Sequence, residues 1–426
     1  MGVLVLAALA AALMAGALST RPKFALLPLG LLLIVGGLEV VRRPFNGLLI
    51  WFAVAPLIGI RGVSPAFNLA YDGIYRLLTV GLTALVVFAL VAERRSLKIG
   101  LPEILLALYA IYAMGSVVFL GSNLRGDTLT AFDRVLLPLA MYFLAKHLVD
   151  RPERLKSILY VLLFVALLQS AVAIAGTIPS LSGFLPRIWF ARSDRLTGSL
   201  GNPVAFGTTL LVTLVLLNHF QRYTSDARTR SLIKLVSVIG ALTIALTFSR
   251  SVWIGAALVL LLSVLLHRST VKSILPLALL TVVLLFSGFL AQDAAYARQR
   301  FGDSETIFGR IGRIQASFHM FEVHPIFGWG YRQMDVHFVE YLRQIPYFVQ
   351  VNYIGGVSHF TLLTILVELG VVGLALYVVP IFLILRRSVR ASRLMPRKGF
   401  WSRELVAVIW ITITVFLWTS STMDMK

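Results

Sequence analysis

Long apolar runs, separated by short polar segments, dominate the pattern of this 426-residue chain. A run of about 20 predominantly apolar residues is long enough to cross a hydrocarbon core of about 30 Å as a helix. The pattern predicts an all-α fold, a polytopic transmembrane helix bundle of about 12–13 spans. The candidate spans lie near residues 2–19, 24–41, 46–61, 75–92, 103–120, 134–149, 156–177, 204–219, 232–248, 252–267, 273–291, 358–385 and 405–421.

Composition extends this prediction to the whole chain, residues 1–426, as a single integral membrane domain. The chain is 58% hydrophobic and 14% charged, whereas a soluble protein carries about 25% charged residues. It has no cysteine, so it forms no disulfide and no thiolate metal site. The first run, Val3 to Leu18, has no Lys or Arg before it, which favours a first span over a cleaved signal peptide.

The formal net charge of +20 does not predict nucleic-acid binding, because no basic soluble domain carries it. It instead indicates which loops lie on the cytoplasmic side of the membrane. The segment Arg386–Arg403 has seven basic residues and no acid. Counting spans places three further basic-leaning segments, Gln221–Lys234, Glu93–Lys98 and Asp150–Lys156, on the same side. The positive-inside rule makes that side cytoplasmic.

A large loop, residues 292–357, is therefore predicted on the opposite, periplasmic side. Aromatic residues occur throughout it, so we expect it to fold as a cap between two spans rather than to be disordered. Within it, Arg310–Phe321 is predicted to form an amphipathic helix. Ile311, Ile314 and Phe318 would form one apolar stripe of this helix.

Four polar clusters map to the same outer face: Arg192–Gly207, Thr247–Gly255, Phe308–Gln333 and the stretch that begins at His359. The positive-inside rule predicts few arginines there, yet several lie beside turns. Guanidinium groups suit bidentate phosphate contacts, so this accumulation favours an anionic ligand. In the alternative interpretation, Arg250 is a span-end arginine that reaches the lipid headgroups, and His359 is a packing histidine.

The histidines do not predict a metal site. His319, His324 and His337 lack the spacing of metal ligands and have no carboxylate cluster beside them. His324 precedes Pro325 and on its own would only shape a turn. The chain also has no GxxxxGK[ST] and no GxGxxG motif that opens a βαβ unit, so an ATP-driven pump or a nucleotide-sugar enzyme has no support.

Arginines and one histidine at an outer membrane face fit one chemistry. Guanidinium groups can neutralise a lipid-linked diphosphate and the charge that builds on it as a leaving group. A neutral imidazole can accept the proton of an attacking hydroxyl. Together they predict glycan transfer from a polyprenyl-diphosphate donor, with the phosphate activated by charge rather than by a metal or another cofactor.

Four short motifs resemble the O-antigen ligase and O-antigen polymerase superfamily of bacterial envelope glycosyltransferases, mainly over residues 190–380. An arginine precedes a Gly-x-x-Gly-Asn-Pro turn in Arg195–Pro203, and Thr-x-Ser-Arg stands at Thr247–Arg250. His-Pro-x-x-Gly-x-Gly stands at His324–Gly330. His359 precedes Gly370-Val-Val-Gly373 at the family's spacing, but Phe360 replaces the usual polar residue after the histidine.

The resemblance implies a GT-C-like bundle in the bacterial inner membrane, with its active face in the periplasm. The donor would be an undecaprenyl-diphosphate-linked glycan. The acceptor would be lipid A-core for a ligase, which we favour, or a second lipid-linked repeat for a polymerase. Arg195 and Arg250 would bind the diphosphate, and His359 would be the base. The remaining candidates for binding the diphosphate or glycan are Arg192, His324 and Asn202, together with Arg310 and Arg313, which are chosen from charge and position and not from the resemblance.

Two alternatives from other classes stay open, a transporter of lipid-linked glycans and a membrane scaffold. Transporters usually show repeated halves and polar groups near the midplane, whereas here the polar groups concentrate at one edge. Glu368 is the exception, since it lies about nine residues into an apolar run. We expect it to pair with a polar group of a neighbouring span. Ser358 is a candidate N-cap, and Gly370 and Gly373 would let a neighbouring helix approach.

Overall fold

The computed structural model describes residues 37–60, 65–178, 195–266, 305–346 and 360–421. A 3₁₀ turn (Ala55–Ile60) follows the helix that ends at Val54. A π-helical turn (Phe132–Leu136) joins the helix that ends at Ala131 to the helix that begins at Leu137. Residues 37–42 are also helical. The α-helices labelled here are α1 (Pro44–Val54), α2 (Pro65–Ala92), α3 (Leu101–Leu120), α4 (Leu124–Ala131), α5 (Leu137–Leu148), α6 (Pro152–Thr177), α7 (Pro203–Tyr223), α8 (Ala227–Ala245), α9 (Arg250–Leu266), α10 (Glu305–Val323), α11 (Met334–Leu342), α12 (Thr361–Leu394) and α13 (Arg403–Ser420).

Seven helical segments in the described ranges are long and apolar enough to cross a membrane: Tyr71–Ala92, Leu101–Leu120, Leu124–Leu148, Pro152–Thr177, Pro203–Tyr223, Thr361–Leu394 and Arg403–Ser420. The all-α, multi-pass prediction is confirmed. Pro44–Leu57 and Arg250–Leu266 are shorter apolar helices. The predicted spans 2–19 and 273–291, and most of 24–41, lie outside the described residues, so the full span count stays a prediction.

The chain divides into two compact units. The first unit comprises Met1–Ser96, Met141–Ala294 and Met395–Phe416. The second unit comprises Leu97–Ala140, Ala295–Leu394 and Leu417–Lys426. Residues 292–357 therefore fall almost wholly in the second unit, and their role as a cap stays a prediction.

Local sequence explains where several helices begin. Proline stands in the first turn of α1, α3, α6 and α7, where its missing N–H is no loss. Asn202 caps α7, and Asp226 caps α8 by accepting hydrogen bonds from the backbone N–H groups of Arg228 and Thr229. These hydrogen bonds, the side-chain bond from Thr229 first among them, hold the pKa of Asp226 below its ordinary value.

The core of the first unit lies where α6, α7 and α8 pack together. Phe206 and Phe220 of α7 are fully buried there, with Ile233 and Val236 of α8. Val408, Ile411 and Val415, on one face of α13, belong to the same apolar cluster. This packing fixes the end of α7 at which Asn202 and Pro203 lie.

In the second unit, α10 and α11 pack against each other and against the first turns of α12. Ala316 and Met320 of α10 are buried in one cluster with Phe338 of α11 and with Leu363 and Val367 of α12. The helix predicted over residues 310–321 is therefore present as part of α10.

The apolar stripe predicted for that helix faces the core only at Ile314, which packs against the buried cluster. Ile311 is 43% and Phe318 47% exposed, whereas Arg313 is only 6% exposed. Ala316 and Met320 are fully buried, so the face that they share packs against α11 and α12. Periodicity identified the helix but not the face that packs.

The helix α12 breaks at Gly370, whose φ of 65° and ψ of −169° are not helical. The segment Pro325–Gly330 fills the break through backbone hydrogen bonds. Val371 N–H donates to the carbonyl of Pro325 over 2.9 Å, and Gly330 N–H donates to the carbonyl of Glu368 over 2.8 Å. A Cβ on Gly370 would collide with the carbonyl oxygen of Ile326. Gly370 thus admits a turn of the loop, rather than the neighbouring helix that the sequence predicted.

Candidate functional site

In the first unit, the two predicted arginine motifs lie against each other. The Nε atom of Arg195 donates a hydrogen bond to the carbonyl oxygen of Thr247 over 2.9 Å. The next residue continues the contact, since Leu196 N–H donates to the carbonyl of Leu246 over 3.1 Å. The segment before α7 is therefore joined to the end of α8, and the first two sequence motifs form one local structure.

The turn after Arg195 is held by a buried polar contact with α6. Ser199 N–H donates to Oε1 of Gln169 over 3.0 Å, and Gln169 Nε2 donates to Ser199 Oγ over 2.5 Å. The Ser199 hydroxyl donates in turn to the carbonyl of Pro56 over 2.8 Å. Both side chains are about 1% exposed. Buried polar groups that are satisfied in this way fix one geometry, because leaving any of them unpaired is costly.

Glycine is required in this turn. Gly198 has φ of +52° and Gly201 has φ of +65°, both in the left-handed region. A Cβ on Gly198 would lie 2.6 Å from Oε1 of Gln169. The turn that the sequence predicted from its glycines and its Asn-Pro pair is therefore present, and Gly198 permits its close approach to α6.

Asn202 serves as the N-cap of α7. Its Oδ1 atom accepts hydrogen bonds from the backbone N–H groups of Val204 over 2.9 Å and of Ala205 over 3.2 Å. This is a structural contact, typical of an asparagine ahead of a helix. A contact from Asn202 to substrate stays a prediction.

The Thr-x-Ser-Arg motif forms a tight turn between α8 and α9. Phe248 has φ of +46°, and Trp253 Nε1 donates to the carbonyl of Ala245 over 3.1 Å, which ties the start of α9 back to α8. Arg250 is the first residue of α9 and is half-buried. A Cβ on Gly207 of α7 would lie 2.7 Å from Val252, so α7 packs directly on this turn.

In the second unit, Arg313 and His324 have different surroundings. Arg313 is buried in α10, and its carbonyl accepts a 2.7 Å hydrogen bond from the hydroxyl of Ser317. His324 is exposed, and its ring stacks edge-on against Trp329 at 4.5 Å. The His324 carbonyl accepts from Gly328 N–H over 3.0 Å, so this histidine shapes the turn. A role in substrate binding stays a prediction for both residues.

Three other candidate site residues, and the predicted N-cap Ser358, fall wholly or partly outside the described residues. His359 and Arg192 lie outside them, as does Ser358. For Arg310 only the backbone, in the first turns of α10, is described. Next to His359, Phe360 packs against the cluster of α10 and α11, and the Thr361 hydroxyl donates to the carbonyl of Ser420 over 2.9 Å. The start of α12 is thereby fixed within the second unit.

Glu368 is 3% exposed, and its charge influences polar groups of other segments of the second unit. Burial raises the pKa of the Tyr331 hydroxyl, and the negative charge of Glu368 raises it further, while Arg134 opposes this effect. Glu368 also interacts electrostatically with Arg134 and with Tyr109 of α3. The sequence predicted that this acid pairs with a polar group of a neighbouring span. Tyr109 and Arg134 are within range of its charge, and direct pairing stays a prediction.

Residues 235–378 match the family model described as O-antigen ligase. The predicted resemblance is confirmed. The match supports a membrane glycosyltransferase of O-antigen ligase or polymerase type, for which lipid-linked glycan and lipid acceptor substrates are expected in general. No curated protein matches the chain.

The segment that matches the O-antigen ligase family contains five of the candidate site residues: Arg250, Arg310, Arg313, His324 and His359. It starts after Arg195 and Asn202. For these two, the link to the family segment is the hydrogen bond from Arg195 to Thr247, which lies inside the match.

Sequence reasoning missed two residues that position these motifs. Gln169 holds the Arg195–Pro203 turn, and Tyr112 of α3 donates to the carbonyl of Phe327 over 2.6 Å. For Gln169, the sequence signal was a glutamine inside an apolar span. Tyr112 could not be singled out in this way, because tyrosine is common in membrane spans.

Proposed function

We propose that the chain is an O-antigen ligase that transfers a glycan from an undecaprenyl-diphosphate carrier to lipid A-core at the periplasmic face of the inner membrane. The family match over residues 235–378 supports the reaction class. The hydrogen bond from Arg195 to Thr247 is the observation that carries the assignment of residues, because it holds two arginine-bearing motifs in one corner of the first unit.

In this proposal Arg195 and Arg250 bind the diphosphate of the donor. The bond from Nε of Arg195 to a backbone carbonyl fixes the plane of its guanidinium group, and a preoriented guanidinium loses little entropy when it binds phosphate. Arg250, at the first residue of α9, is half-buried, where a charge interacts more strongly than in water. No metal ion is needed for the charge that these two residues neutralise.

His359 acts as the general base. A hydroxyl of the acceptor glycan attacks the anomeric carbon of the donor, and the imidazole accepts the hydroxyl proton. The new glycosidic C–O bond forms as the bond from the anomeric carbon to the diphosphate oxygen breaks. The diphosphate leaves with the bonding electrons, and its added negative charge is stabilised by Arg195 and Arg250.

The other candidates would contact the donor more peripherally. Arg192 precedes the Arg195 turn in sequence, and Arg310 and Arg313 add positive charge to the large loop. Asn202 and His324 would contact the glycan through groups that their structural hydrogen bonds do not use. We expect smaller losses of activity from these five residues than from Arg195, Arg250 and His359.

The test is the phenotype of cells that carry Arg250→Ala in place of the native chain. A ligase defect leaves free lipid A-core and accumulated lipid-linked polymer. The alternative activity, polymerisation of lipid-linked repeats, would instead leave core capped by a single repeat. Normal capped polymer in the variant would contradict the role of Arg250 in either activity.

A transporter of lipid-linked glycans is the remaining alternative from another class. Purified protein that joins a labelled donor to an acceptor without ATP would exclude it. Movement of the donor across a vesicle membrane with no joined product would instead favour it.

A further inference from the structure

The segment His324–Gly330 lies alongside the half of α3 that ends at Leu120. Phe327 contacts Tyr112, whose hydroxyl donates to the Phe327 carbonyl over 2.6 Å. Tyr331 contacts Ser116, whose hydroxyl oxygen accepts from Tyr331 N–H over 3.1 Å. A Cβ on Gly330 would lie 2.8 Å from Cβ of Leu120. The positions of these contact residues along α3 therefore show how far below the end of that helix the turn lies.

The depth follows from the rise of the helix. Tyr112 lies eight residues before the end of α3 at Leu120, which corresponds to about 12 Å at roughly 1.5 Å per residue. The break at Gly370 lies nine residues into α12, or about 13 Å from its start. One leaflet of hydrocarbon is about 15 Å thick. Two spans therefore place Phe327 at similar depth, well below the membrane surface at the Thr361 end of α12.

Backbone at such depth needs internal hydrogen bonds, because hydrocarbon offers none. The carbonyls of residues 324–327 all accept: from Gly328 N–H, Val371 N–H, Val372 N–H and the Tyr112 hydroxyl, respectively. The N–H groups of Gly328, Trp329 and Gly330 all donate to backbone carbonyls. The break at Gly370 is what supplies Val371, Val372, Val367 and Glu368 as partners.

The side chains at the tip of the turn are apolar and exposed. Ile326 is 59% and Phe327 64% exposed. In the same part of α3, Ile111 is 68% exposed and must face lipid if α3 spans the membrane. Exposed isoleucine and phenylalanine are unfavourable in water but match an acyl-chain environment at this depth.

We propose that His324–Gly330 is a re-entrant turn, which dips from the large loop into one leaflet and places Ile326 and Phe327 against the acyl chains of the membrane lipids. The break in α12 pairs the carbonyls of Pro325 and Ile326 and the N–H groups of Trp329 and Gly330. Tyr112 pairs the carbonyl of Phe327 and fixes the depth of the turn. The loop is therefore anchored in the bilayer at this turn rather than lying wholly above it. This proposal does not depend on the reaction or on its catalytic residues.

Spin labelling tests the depth of the turn directly. The chain has no native cysteine, so a single introduced cysteine is the only site that takes the label. Phe327→Cys carries a nitroxide in vesicles of phosphatidylethanolamine and phosphatidylglycerol without any polyprenyl lipid. Collisions with oxygen, which concentrates in lipid, and with a water-soluble nickel chelate are then measured. Ile111→Cys on α3 is the matched lipid-facing reference. Ser122→Cys, two residues beyond the end of α3 and exposed, is the reference at the membrane surface.

We expect the Phe327 label to resemble the Ile111 label, with high oxygen collision and several-fold lower nickel collision than the Ser122 label. Ile326→Cys repeats the measurement in case Phe327→Cys does not reconstitute. Nickel collision equal to that of Ser122 would place the turn in water and overturn the proposal. Protection from both reagents would place it inside protein and would also overturn the proposal. Protection that arises only after a polyprenyl diphosphate is added would assign the turn to the donor chain instead of membrane lipid.

Discussion

The guanidinium Nε of Arg195 donates a 2.9 Å hydrogen bond to the carbonyl oxygen of Thr247, and this bond joins two motifs that lie 52 residues apart. It brings the Arg195–Pro203 turn to the turn that carries Arg250. Since both segments belong to the first unit, the packing of α6, α7 and α8 determines their geometry. Substitutions that disturb this packing should therefore change the positions of Arg195 and Arg250.

Arg195→Ala should reduce glycan transfer by about 100-fold or more, the loss expected for a group that stabilises transition-state charge. Arg195→Lys should recover little of this, because lysine lacks the planar group that contacts the Thr247 carbonyl. Transfer rates of purified protein provide the measurement. Arg230→Ala, an exposed arginine of α8, is the control and should retain full activity. Equal activity of Arg195→Ala and Arg230→Ala would contradict the assignment.

Gln169→Leu should destabilise the fold by about 1–3 kcal/mol, since it leaves the buried N–H and hydroxyl of Ser199 without this partner. It should also weaken donor binding by displacing the Arg195 turn. The control is Ser170→Ala, because the buried Ser170 hydroxyl has no hydrogen-bond partner in the described part of the chain. Unfolding in detergent and the KM for donor are measured for both. A Gln169→Leu protein with unchanged stability and KM would show that the contact does not position the turn.

Gly370→Ala should cost more than about 2 kcal/mol of stability, because the left-handed φ of Gly370 disfavours alanine. The new Cβ would in addition collide with the Ile326 carbonyl. Gly115→Ala on α3, where a Cβ meets nothing within 4 Å, is the matched control and should be neutral or stabilising. Thermal unfolding of the two variants gives the comparison. Equal melting temperatures would mean that the break is not required.

Tyr112→Phe should destabilise the second unit by about 0.5–1.5 kcal/mol, because its hydroxyl donates to the Phe327 carbonyl. Tyr160→Phe is the control, since Tyr160 is an exposed tyrosine of α6 whose described contact is a ring contact with Phe220. Faster proteolysis within the large loop in Tyr112→Phe alone would support the anchor. Identical digestion of both variants would count against it.

The sequence predicted the elements that depend on local pattern. Apolar runs gave the membrane helices, and glycines with Asn-Pro gave the turn at Gly198–Pro203, where Gly198 and Gly201 have positive φ. The helix over Arg310–Phe321 was predicted by its period, but the face was not. Burial there depends on partners from α11 and α12, which periodicity within α10 does not contain.

Contacts between distant segments could not be predicted. Gln169 meets Ser199 across 30 residues, and Tyr112 meets Phe327 across 215. The break at Gly370 lies in an apolar run whose pattern predicts one continuous helix, because an isolated glycine is tolerated in helices. The segment that fills it comes from residues 325–330, about 40 residues earlier in the chain, so the contact is visible only in three dimensions.

The most direct test of the proposed function is transfer by purified protein in vesicles, with a labelled undecaprenyl-diphosphate-linked glycan, lipid A-core and no ATP. The native chain should release undecaprenyl diphosphate and form labelled lipid A-core in equal amounts. Arg250→Ala and His359→Ala should form almost none, while Arg230→Ala remains active. Full product formation by Arg250→Ala and His359→Ala would contradict the proposed site, and absence of product from the native chain would contradict the proposed reaction.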